Sequence, residues 1–312
     1  MDTPTQSQDC EAQWRAAGQV HRAHAAVKLA VRLAGPNATV RAMHALAGGI
    51  HARTTLIQTA SPELEVVLRE FPPGDDAAGR EARVLREIDG LDGLAPRLLA
   101  SDTTHVASRG SWLLISRLAG TADITPRHPS ARAEQLGRAL AQIHQAPLHR
   151  RTGLQNVLGR PGGSPARLSG PAAGVVRANW EFLARAPQML THSDYWSGNV
   201  VWADDVLIGV VDWSGGCLGP PGFDTGWCRL DLYLLHGQDI ADRFQDAYET
   251  ASESALPDPL LWDLWAVARS HEAVETWVAN YRDLGRTDLT ATELRRRHTA
   301  WTEHLLGELA DA

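Results

Sequence analysis

The segment from Leu190 to Trp213 constrains this chain more than any other part of the sequence. It contains two short apolar runs, Val200–Trp202 and Val206–Val211, separated by the turn-forming residues 203–205. Two such runs around a short polar turn are typical of a β-hairpin. A hairpin returns the chain to the place where it began, so we expect the residue before its first strand and the residue after its second strand to be neighbours.

The hairpin is predicted to bring three polar side chains together. Asn199 directly precedes its first strand, Asp212 directly follows its second, and Asp194 lies one loop turn upstream. Carboxylate and amide oxygens are ligands that Mg²⁺ prefers. An Asp, an Asn five residues later and a strand-borne Asp also form the arrangement used in protein kinases, where the first Asp accepts the hydroxyl proton and the other two residues bind metal. The segment therefore predicts a phosphoryl-transfer site that uses Mg²⁺.

A family resemblance can be read from the same residues. His192-Ser-Asp-Tyr-Trp-Ser-Gly-Asn199 and Gly209-Val-Val-Asp-Trp213 resemble the catalytic signature of the aminoglycoside phosphotransferase and choline kinase family, and Gly219-Pro-Pro-Gly-Phe-Asp224 resembles its Gly-x-Pro-x-x-Asp block. The resemblance covers roughly residues 38 to 305. It implies an α+β, two-lobed, protein-kinase-like fold. A small N-terminal lobe with an antiparallel sheet would span residues 1–116, and a larger, mostly helical C-terminal lobe would span residues 117–312.

The resemblance also implies roles for residues around Asp194. His192 is expected to belong to the catalytic loop as a support that makes hydrogen bonds, in preference to acting as the base. Asp224 is expected to be structural, with contact to the substrate as the alternative. We expect Trp196 to contact the substrate, because the polar loop leaves it few core neighbours and a tryptophan can stack on a sugar or a cation.

The N-terminal part has features suited to binding nucleotide phosphates. Gly48 and Gly49 lie between the predicted strands Val40–Leu46 and Thr54–Thr59, and glycine backbone N–H groups can approach phosphates closely. Kinase-like enzymes normally hold phosphates with a lysine on the third strand. The only lysine of this chain, Lys28, lies far upstream in a predicted helix over residues 11–34.

On the predicted third strand, Leu64–Phe71, the resemblance places Arg69 at the position of the phosphate-binding cation. Arginine suits this role because its guanidinium contacts two phosphate oxygens and stays charged. The next predicted helix, residues 76–88, carries Glu81 on its apolar face, where a carboxylate is costly unless paired. We therefore predict an ion pair between Arg69 and Glu81.

Two further segments complete the predicted site. Ser111–Ser116 is predicted to be a buried strand, and Ser116-Arg-Leu118 matches the family segment that connects the lobes, where backbone groups are expected to bind the nucleotide base. The Gly-, Pro- and Ser-rich stretch 158–174 is predicted to be a long loop bordering the acceptor site. Residues 120–130 are also predicted to form a loop. Helical patterns begin at Ser130 and occur over 239–253, 259–282 and 290–310.

Composition and charge narrow the partners. Residues 1–180 have a net charge of +6 and residues 181–312 a net charge of −13, which sum to −7 for the chain. The basic part suits a nucleotide triphosphate, and the acidic part suits either a cationic acceptor or solubility alone. The sequence has no basic cluster interleaved with aromatic residues, no apolar run of ~20 residues and no signal-peptide pattern. We therefore expect no nucleic-acid or membrane partner and a cytoplasmic location, with the three cysteines reduced.

The leading interpretation is a small-molecule phosphotransferase that moves the γ-phosphate of ATP or GTP to a hydroxyl of an antibiotic and so inactivates it. The acceptor would be aminoglycoside-like or another hydroxylated antibiotic. A metabolic kinase of the choline, homoserine or sugar type shares the same chemistry and stays open. A non-catalytic nucleotide-binding module is the third interpretation, and the missing strand lysine is the best argument for it.

Overall fold

The computed structural model describes residues 19–46, 52–103, 110–147, 154–159 and 164–311, with only the backbone described for residues 19–24. It divides the chain into two compact units, the first comprising residues 1–82 and 96–117 and the second residues 83–95 and 118–312. Part of the predicted helix 11–34 is described, as α1 (Gln19–Ala34). Residues 11–18 and the Gly48-Gly49 pair lie outside the described residues.

An antiparallel sheet forms the first unit. Its strands are β1 (Thr39–Ala45), β2 (Arg53–Ala60), β3 (Leu64–Phe71), β4 (Leu98–Asp102) and β5 (Ser111–Ser116), in the spatial order β1-β2-β3-β5-β4. The first three predicted strands and the predicted strand at β5 are confirmed, with end shifts of one residue at β1 and β2. Strand β4 has no counterpart among the strands predicted from the sequence.

The two faces of β3 have different neighbours because side chains alternate along a strand. Val66 and Leu68 belong to a buried apolar cluster with Ala26 and Ala30 of α1, so helix and sheet share one core. Arg69, one residue further on, is expected on the opposite face. The local sequence thus builds a packed face and a face carrying a buried cation on the same strand.

In the second unit, the predicted hairpin is confirmed as β8 (Val200–Ala203) and β9 (Val206–Val210), joined by Asp204 and Asp205. The two turn residues have φ of 48° and 62°, values that Asp tolerates better than most side chains and that the tight hairpin turn requires. A short strand β6 (Thr121–Ala122) pairs with β8, and β7 (Met189–Thr191) pairs with β10 (Cys217–Gly219).

Helices form most of the second unit. Helix α2 (Ala77–Ile88) contains the boundary between the two units, which lies after residue 82. The later helices are α3 (Pro129–Gln145), α4 (Ala173–Ala178), α5 (Trp180–Leu183), α6 (Gly222–His236), α7 (Gln238–Ser252), α8 (Pro259–Ser270), α9 (Val278–Asp283) and α10 (Ala291–Asp311). The α+β class is confirmed, with an antiparallel sheet first and mostly helical structure after it. Within the described part of the chain, no helix combines the length and apolarity that crossing a bilayer requires.

Three predicted elements need correction. The single helix over 259–282 is wrong: α8 ends at Ser270, a 3₁₀ turn spans Val274–Trp277, and α9 follows. Arg295 donates to the carbonyl of His271 there, and the backbone continues with i→i+3 bonds, so an interaction from a distant helix interrupts a pattern that is locally helical. The loop over 120–130 contains β6, and the loop over 158–174 contains a 3₁₀ turn at Pro165–Arg167 and the first residues of α4.

Close packing of α3 on α7 depends on a glycine. A Cβ at Gly137 would lie 2.4 Å from the carbonyl oxygen of Phe244 and 2.7 Å from the backbone nitrogen of Tyr248. Backbone atoms cannot move aside as the end of a side chain can. The absence of a side chain at Gly137 therefore sets how closely the two helices approach.

We predict that Gly137→Ala destabilises the protein by about 1–3 kcal/mol, because the added methyl forces the helices apart. Gly307→Ala is the matched control, since a Cβ at this helical position in α10 meets nothing within 4 Å. Alanine has the higher helix propensity, so the control should be neutral or more stable by up to about 1 kcal/mol. Chemical denaturation of both variants measures the difference, and equal stabilities would show that α3 and α7 are not in tight contact.

Candidate active site

Residues 192–199, which the sequence predicts to be catalytic and which we call the catalytic loop, are fixed by hydrogen bonds to a buried carboxylate. Asp224, in the first turn of α6, accepts the backbone N–H of His192 and the backbone N–H of Ser193, both at 2.7 Å. Ser193 has a φ of 61°, an unusual conformation for a serine, so the loop needs such bonds to keep its shape. The first turn of a helix also favours a negative charge.

The Asp224 carboxylate is fully buried and has a third neighbour, His144 Nε2, at 3.2 Å from Oδ2. This placement corrects the alternative that Asp224 contacts the substrate: a buried carboxylate with three polar neighbours leaves no surface for an acceptor. Tyr248 lies 2.9 Å from His144 Nδ1. If the tyrosine hydroxyl donates to Nδ1, then Nε2–H donates to Asp224. Both ring nitrogens of His144 then have a hydrogen-bond partner.

His192 ties the catalytic loop to the end of the hairpin. Its imidazole is buried, with Nε2 at 2.9 Å from the carbonyl oxygen of Val211, the residue before Asp212. The ring also lies 4.7 Å from the ring of Trp213. Nε2–H is the donor to that carbonyl, which leaves His192 in a supporting position, as the family resemblance implies.

Asp194 is held through both of its carboxylate oxygens. Asn199 Nδ2 donates to Oδ2 at 3.0 Å and to the Asp194 carbonyl at 2.9 Å, and Trp227 Nε1 donates to Oδ1 at 3.2 Å. Burial raises the pKa of Asp194, and the nearby charge of Asp212 raises it further, while His192 and the two donors act in the opposite direction. The carboxylate is therefore oriented and lies close to a second acid.

The chemistry of Asn199 and Asp212 fits a hard divalent cation such as Mg²⁺. Because Asn199 Nδ2 bonds to Asp194, the amide oxygen is the Asn199 atom that would bind a cation. Asp212 lies two residues after the end of β9 and has a φ of 62°. Its Oδ1 accepts a hydrogen bond from Ser214 Oγ at 2.9 Å. Among the described residues no group of three or more His, Cys, Asp or Glu side chains could hold a metal. Two oxygen ligands are still sufficient for Mg²⁺, which usually completes its shell with water and substrate phosphates.

A second buried acid supports the other end of the loop. Asp231 Oδ2 accepts from the backbone N–H of Ser197 at 3.0 Å and from its hydroxyl at 2.6 Å, and Oδ1 accepts from Tyr281 OH at 2.8 Å. Burial raises the pKa of Asp231, although these three donors lower it. Trp196 is half-buried, with its ring edge-to-face against Tyr281 at 5.9 Å and close over Gly198. Substrate contact by Trp196 stays a prediction.

The predicted ion pair of the first unit is confirmed. Arg69 Nε lies 3.3 Å from Glu81 Oε2, both side chains are buried, and the guanidinium lies 5.5 Å from the centre of the Phe71 ring. In the connecting segment, the N–H of Ser116 donates to the carbonyl of Arg97 at 2.9 Å, and the carbonyl of Leu118 accepts from Gly120 at 2.9 Å. Those two groups are engaged in hydrogen bonds within the protein. Binding of a nucleotide base by this segment stays a prediction.

Sequence reasoning expected Asp224 to be structural, but it assigned no role to Trp227 or Asp231, the other two residues that support the catalytic loop from α6. Asp224, Trp227 and Asp231 are spaced three and four residues apart, so they share one face of that helix. Each contacts a different part of the loop. Two acids and a tryptophan on one face of an apolar helix could have indicated a polar segment packed against that face. His144, Tyr248 and Tyr281 come from distant elements, and no local pattern in the sequence indicates their contacts with these residues.

Solved structures with a similar fold support this architecture. A candidate aminoglycoside phosphotransferase from Ralstonia eutropha has a TM-score of 0.62 and 16% identity, covering 90% of this chain and 96% of that one. Macrolide 2′-phosphotransferase from Brachybacterium faecium has a TM-score of 0.58 and 16% identity, covering 90% and 98%. An aminoglycoside phosphotransferase from Streptomyces rimosus, in complex with ADP and streptomycin, has a TM-score of 0.52 and 14% identity, covering 78% and 98%. At such identities the similarity shows the fold alone.

A search of curated proteins found no match. The family model described as the phosphotransferase enzyme family matches residues 42–262, which is more than half of the chain and includes the whole catalytic loop, the hairpin and α6. The chain therefore belongs to this phosphotransferase family, which comprises kinases that act on hydroxyls of small molecules.

Proposed function

We propose that the protein transfers the γ-phosphoryl group of ATP or GTP to a hydroxyl of an antibiotic and thereby inactivates it. The observation that carries the chemistry is the Asp194 carboxylate, oriented by Asn199 and Trp227 and close enough to Asp212 for their charges to interact. A fixed carboxylate beside an Asn and a second Asp is what phosphoryl transfer needs, because that reaction depends on positioning and on neutralising charge.

In the proposed reaction, the acceptor oxygen forms a bond to the γ-phosphorus and the bond from that phosphorus to the bridging oxygen breaks. Asp194 accepts the hydroxyl proton, and the nucleoside diphosphate leaves with the bonding electrons. Asn199 and Asp212 would hold Mg²⁺, which supplies neutralisation of phosphate charge when bound. His192 and Asp224 maintain the loop that carries Asp194.

In the first unit, Arg69 is proposed to bind phosphate oxygens while Glu81 holds its guanidinium in place. The backbone of Gly48 and Gly49 is proposed to contact the same nucleotide. Arginine replaces the usual lysine without loss of charge, so the missing strand lysine does not argue for a non-catalytic module. Family membership and the complete set of Asp194, Asn199 and Asp212 argue against it.

The antibiotic acceptor has two supports. Structures with the same fold include a macrolide phosphotransferase and an aminoglycoside phosphotransferase that holds streptomycin. Residues 181–312 also have a net charge of −13, which suits a cationic acceptor. A metabolic kinase of the choline, homoserine or sugar type uses the same residues, so it is the second candidate.

A panel of acceptors separates the two candidates. Aminoglycosides, macrolides, hygromycin B, choline, homoserine and sugars are each incubated with the protein, Mg²⁺ and either ATP or GTP, and a gain of one phosphate is detected by mass spectrometry. Transfer to an antibiotic with at least tenfold higher kcat/KM than to any metabolite supports the proposal. Preference for a metabolite contradicts it while leaving the kinase chemistry intact.

We predict that Asp194→Asn lowers kcat by about 10²–10⁴-fold and leaves nucleotide affinity nearly unchanged, because Asp194 acts on the chemical step. Asp204→Asn, the same change in the hairpin turn, is the control and should retain normal turnover. Steady-state kinetics and nucleotide titration measure both quantities. Near-normal turnover of Asp194→Asn would remove Asp194 from the base role.

We predict that Arg69→Lys weakens nucleotide binding and lowers kcat, because it keeps the charge and loses the guanidinium fork. Arg69→Ala should lose more of both. It also removes the positive charge beside the buried Glu81 carboxylate, at a cost of about 3–5 kcal/mol, so the unfolding of this variant must be followed in parallel. Arg41→Ala removes an exposed arginine from the same sheet and should bind nucleotide normally. Unchanged nucleotide affinity in folded Arg69→Lys and Arg69→Ala would contradict the phosphate role.

We predict that Asp212→Asn reduces Mg²⁺-dependent turnover by at least about 100-fold and weakens binding of the Mg²⁺-nucleotide complex, because it removes a charged metal ligand. Asparagine tolerates the φ of 62° at this position, so the backbone should be retained. Ser214→Ala removes only a hydrogen bond to the same carboxylate and should keep most of the activity. Titration calorimetry with and without Mg²⁺ measures the nucleotide affinity of each variant. If Mg²⁺ changes the nucleotide affinity of Asp212→Asn as much as that of the wild-type protein, Asp212 is not a metal ligand.

A further inference from the structure

Trp227 contacts the catalytic carboxylate although it lies outside the catalytic loop and outside the hairpin. Its indole Nε1 donates to Asp194 Oδ1 at 3.2 Å. The other oxygen, Oδ2, accepts from Asn199 Nδ2 at 3.0 Å. One donor therefore acts on each oxygen, and the two donors come from different elements of the second unit.

Two donors on opposite oxygens define the plane of a carboxylate more closely than one donor can. With Asn199 alone, the Asp194 side chain could turn about its last bond while keeping one hydrogen bond, because terminal torsions of Asp are broad. A donor on Oδ1 removes that freedom. Orientation matters here because a small misplacement of a reacting group can lower the rate by a large factor.

The indole is itself held by packing. Its ring lies edge-to-face against Trp277 at 5.3 Å and 6.3 Å from Trp265, and Trp265 packs at 4.4 Å against Phe223. We call these four rings the aromatic cluster, and Trp227 is the member that contacts the catalytic loop. The backbone of α6 next to Trp227 packs closely against α8, since a Cβ at Gly226 would lie 2.5 Å from the carbonyl oxygen of Trp262.

Two other residues on the same face of α6 contact the loop. Asp224 accepts the backbone N–H groups of His192 and Ser193, and Asp231 accepts the backbone N–H of Ser197. Both of these contacts hold the backbone of the loop. Trp227 lies between them in sequence and is the member of the set that contacts the side chain of Asp194.

We propose that Trp227 is a positioning residue of the phosphotransferase, whose indole N–H fixes the Asp194 carboxylate in the orientation that receives the acceptor hydroxyl. The proposal rests on the proposed role of Asp194 as the base. Trp227 transfers no proton itself. Its effect is on the turnover number, through the fraction of time that Asp194 has the productive orientation.

The kinetic test is Trp227→Phe, which keeps an aromatic ring in the cluster and removes the donor. With the best acceptor of the panel, kcat should fall about tenfold, as expected for loss of a hydrogen bond to a charged group. The KM for the acceptor and the nucleotide affinity should change less than about twofold. Trp277→Phe removes an indole N–H from the neighbouring ring and should retain kcat. An unchanged kcat in Trp227→Phe, or a rise in acceptor KM alone, overturns the proposal.

A second measurement needs no acceptor. The protein is labelled with ¹⁵N in its 11 tryptophans, and the indole N–H signal of Trp227 is identified as the one missing in Trp227→Phe. In Asp194→Asn that signal should move more than the signal of Trp277, because a neutral acceptor replaces a charged one. An unmoved Trp227 signal shows that the contact is absent and overturns the proposal. The two hypotheses can also be tested separately. Full turnover of Asp194→Asn contradicts the role of Asp194 as the base. A normal kcat in Trp227→Phe, together with an inactive Asp194→Asn, contradicts only the positioning role of Trp227.

Discussion

The catalytic loop depends on hydrogen bonds to one face of α6. A loop of irregular backbone has N–H groups that no strand or helix satisfies, and leaving such groups buried without partners is costly. Asp224 accepts two of them at 2.7 Å and Asp231 accepts a third at 3.0 Å. Carboxylates form stronger hydrogen bonds than neutral acceptors, so Asp224 is able to keep Ser193 at a φ of 61°. The position of Asp194 follows from that backbone.

The support of the loop extends into the helical packing of the second unit. His144 on α3 lies within hydrogen-bond distance of Asp224 on α6 and of Tyr248 on α7, so three helices meet at one imidazole. The separation of α3 and α7 is set by Gly137, which allows backbone to contact backbone. A change in the packing of these helices would therefore reach the catalytic loop through His144 and Asp224. The chemistry of the site and the stability of the unit share the same contacts.

The second unit also concentrates negative charge. Burial raises the pKa of Asp194 and of Asp231, and each is raised further by a neighbouring acid, Asp212 in one case and Asp194 in the other. Like charges in a buried site oppose ionisation unless donors or a cation offset them. Asn199, Trp227, Ser197 and Tyr281 supply the donors. A cation bound by Asp212 would further favour the ionised base, which agrees with the proposed use of Mg²⁺.

The local sequence was enough to predict the hairpin, its three polar residues and the pairing of Arg69 with Glu81. These predictions rest on alternation along strands, on helical spacing and on a motif confined to 24 residues, all of which act over short distances in the chain. The tertiary structure alone showed that Trp227 contacts Asp194, that Asp231 accepts hydrogen bonds from Ser197, and that Arg295 donates to the His271 carbonyl where α8 ends. In each case the partners are separated by 24 to 34 residues, and local periodicity does not say which helix face meets which loop.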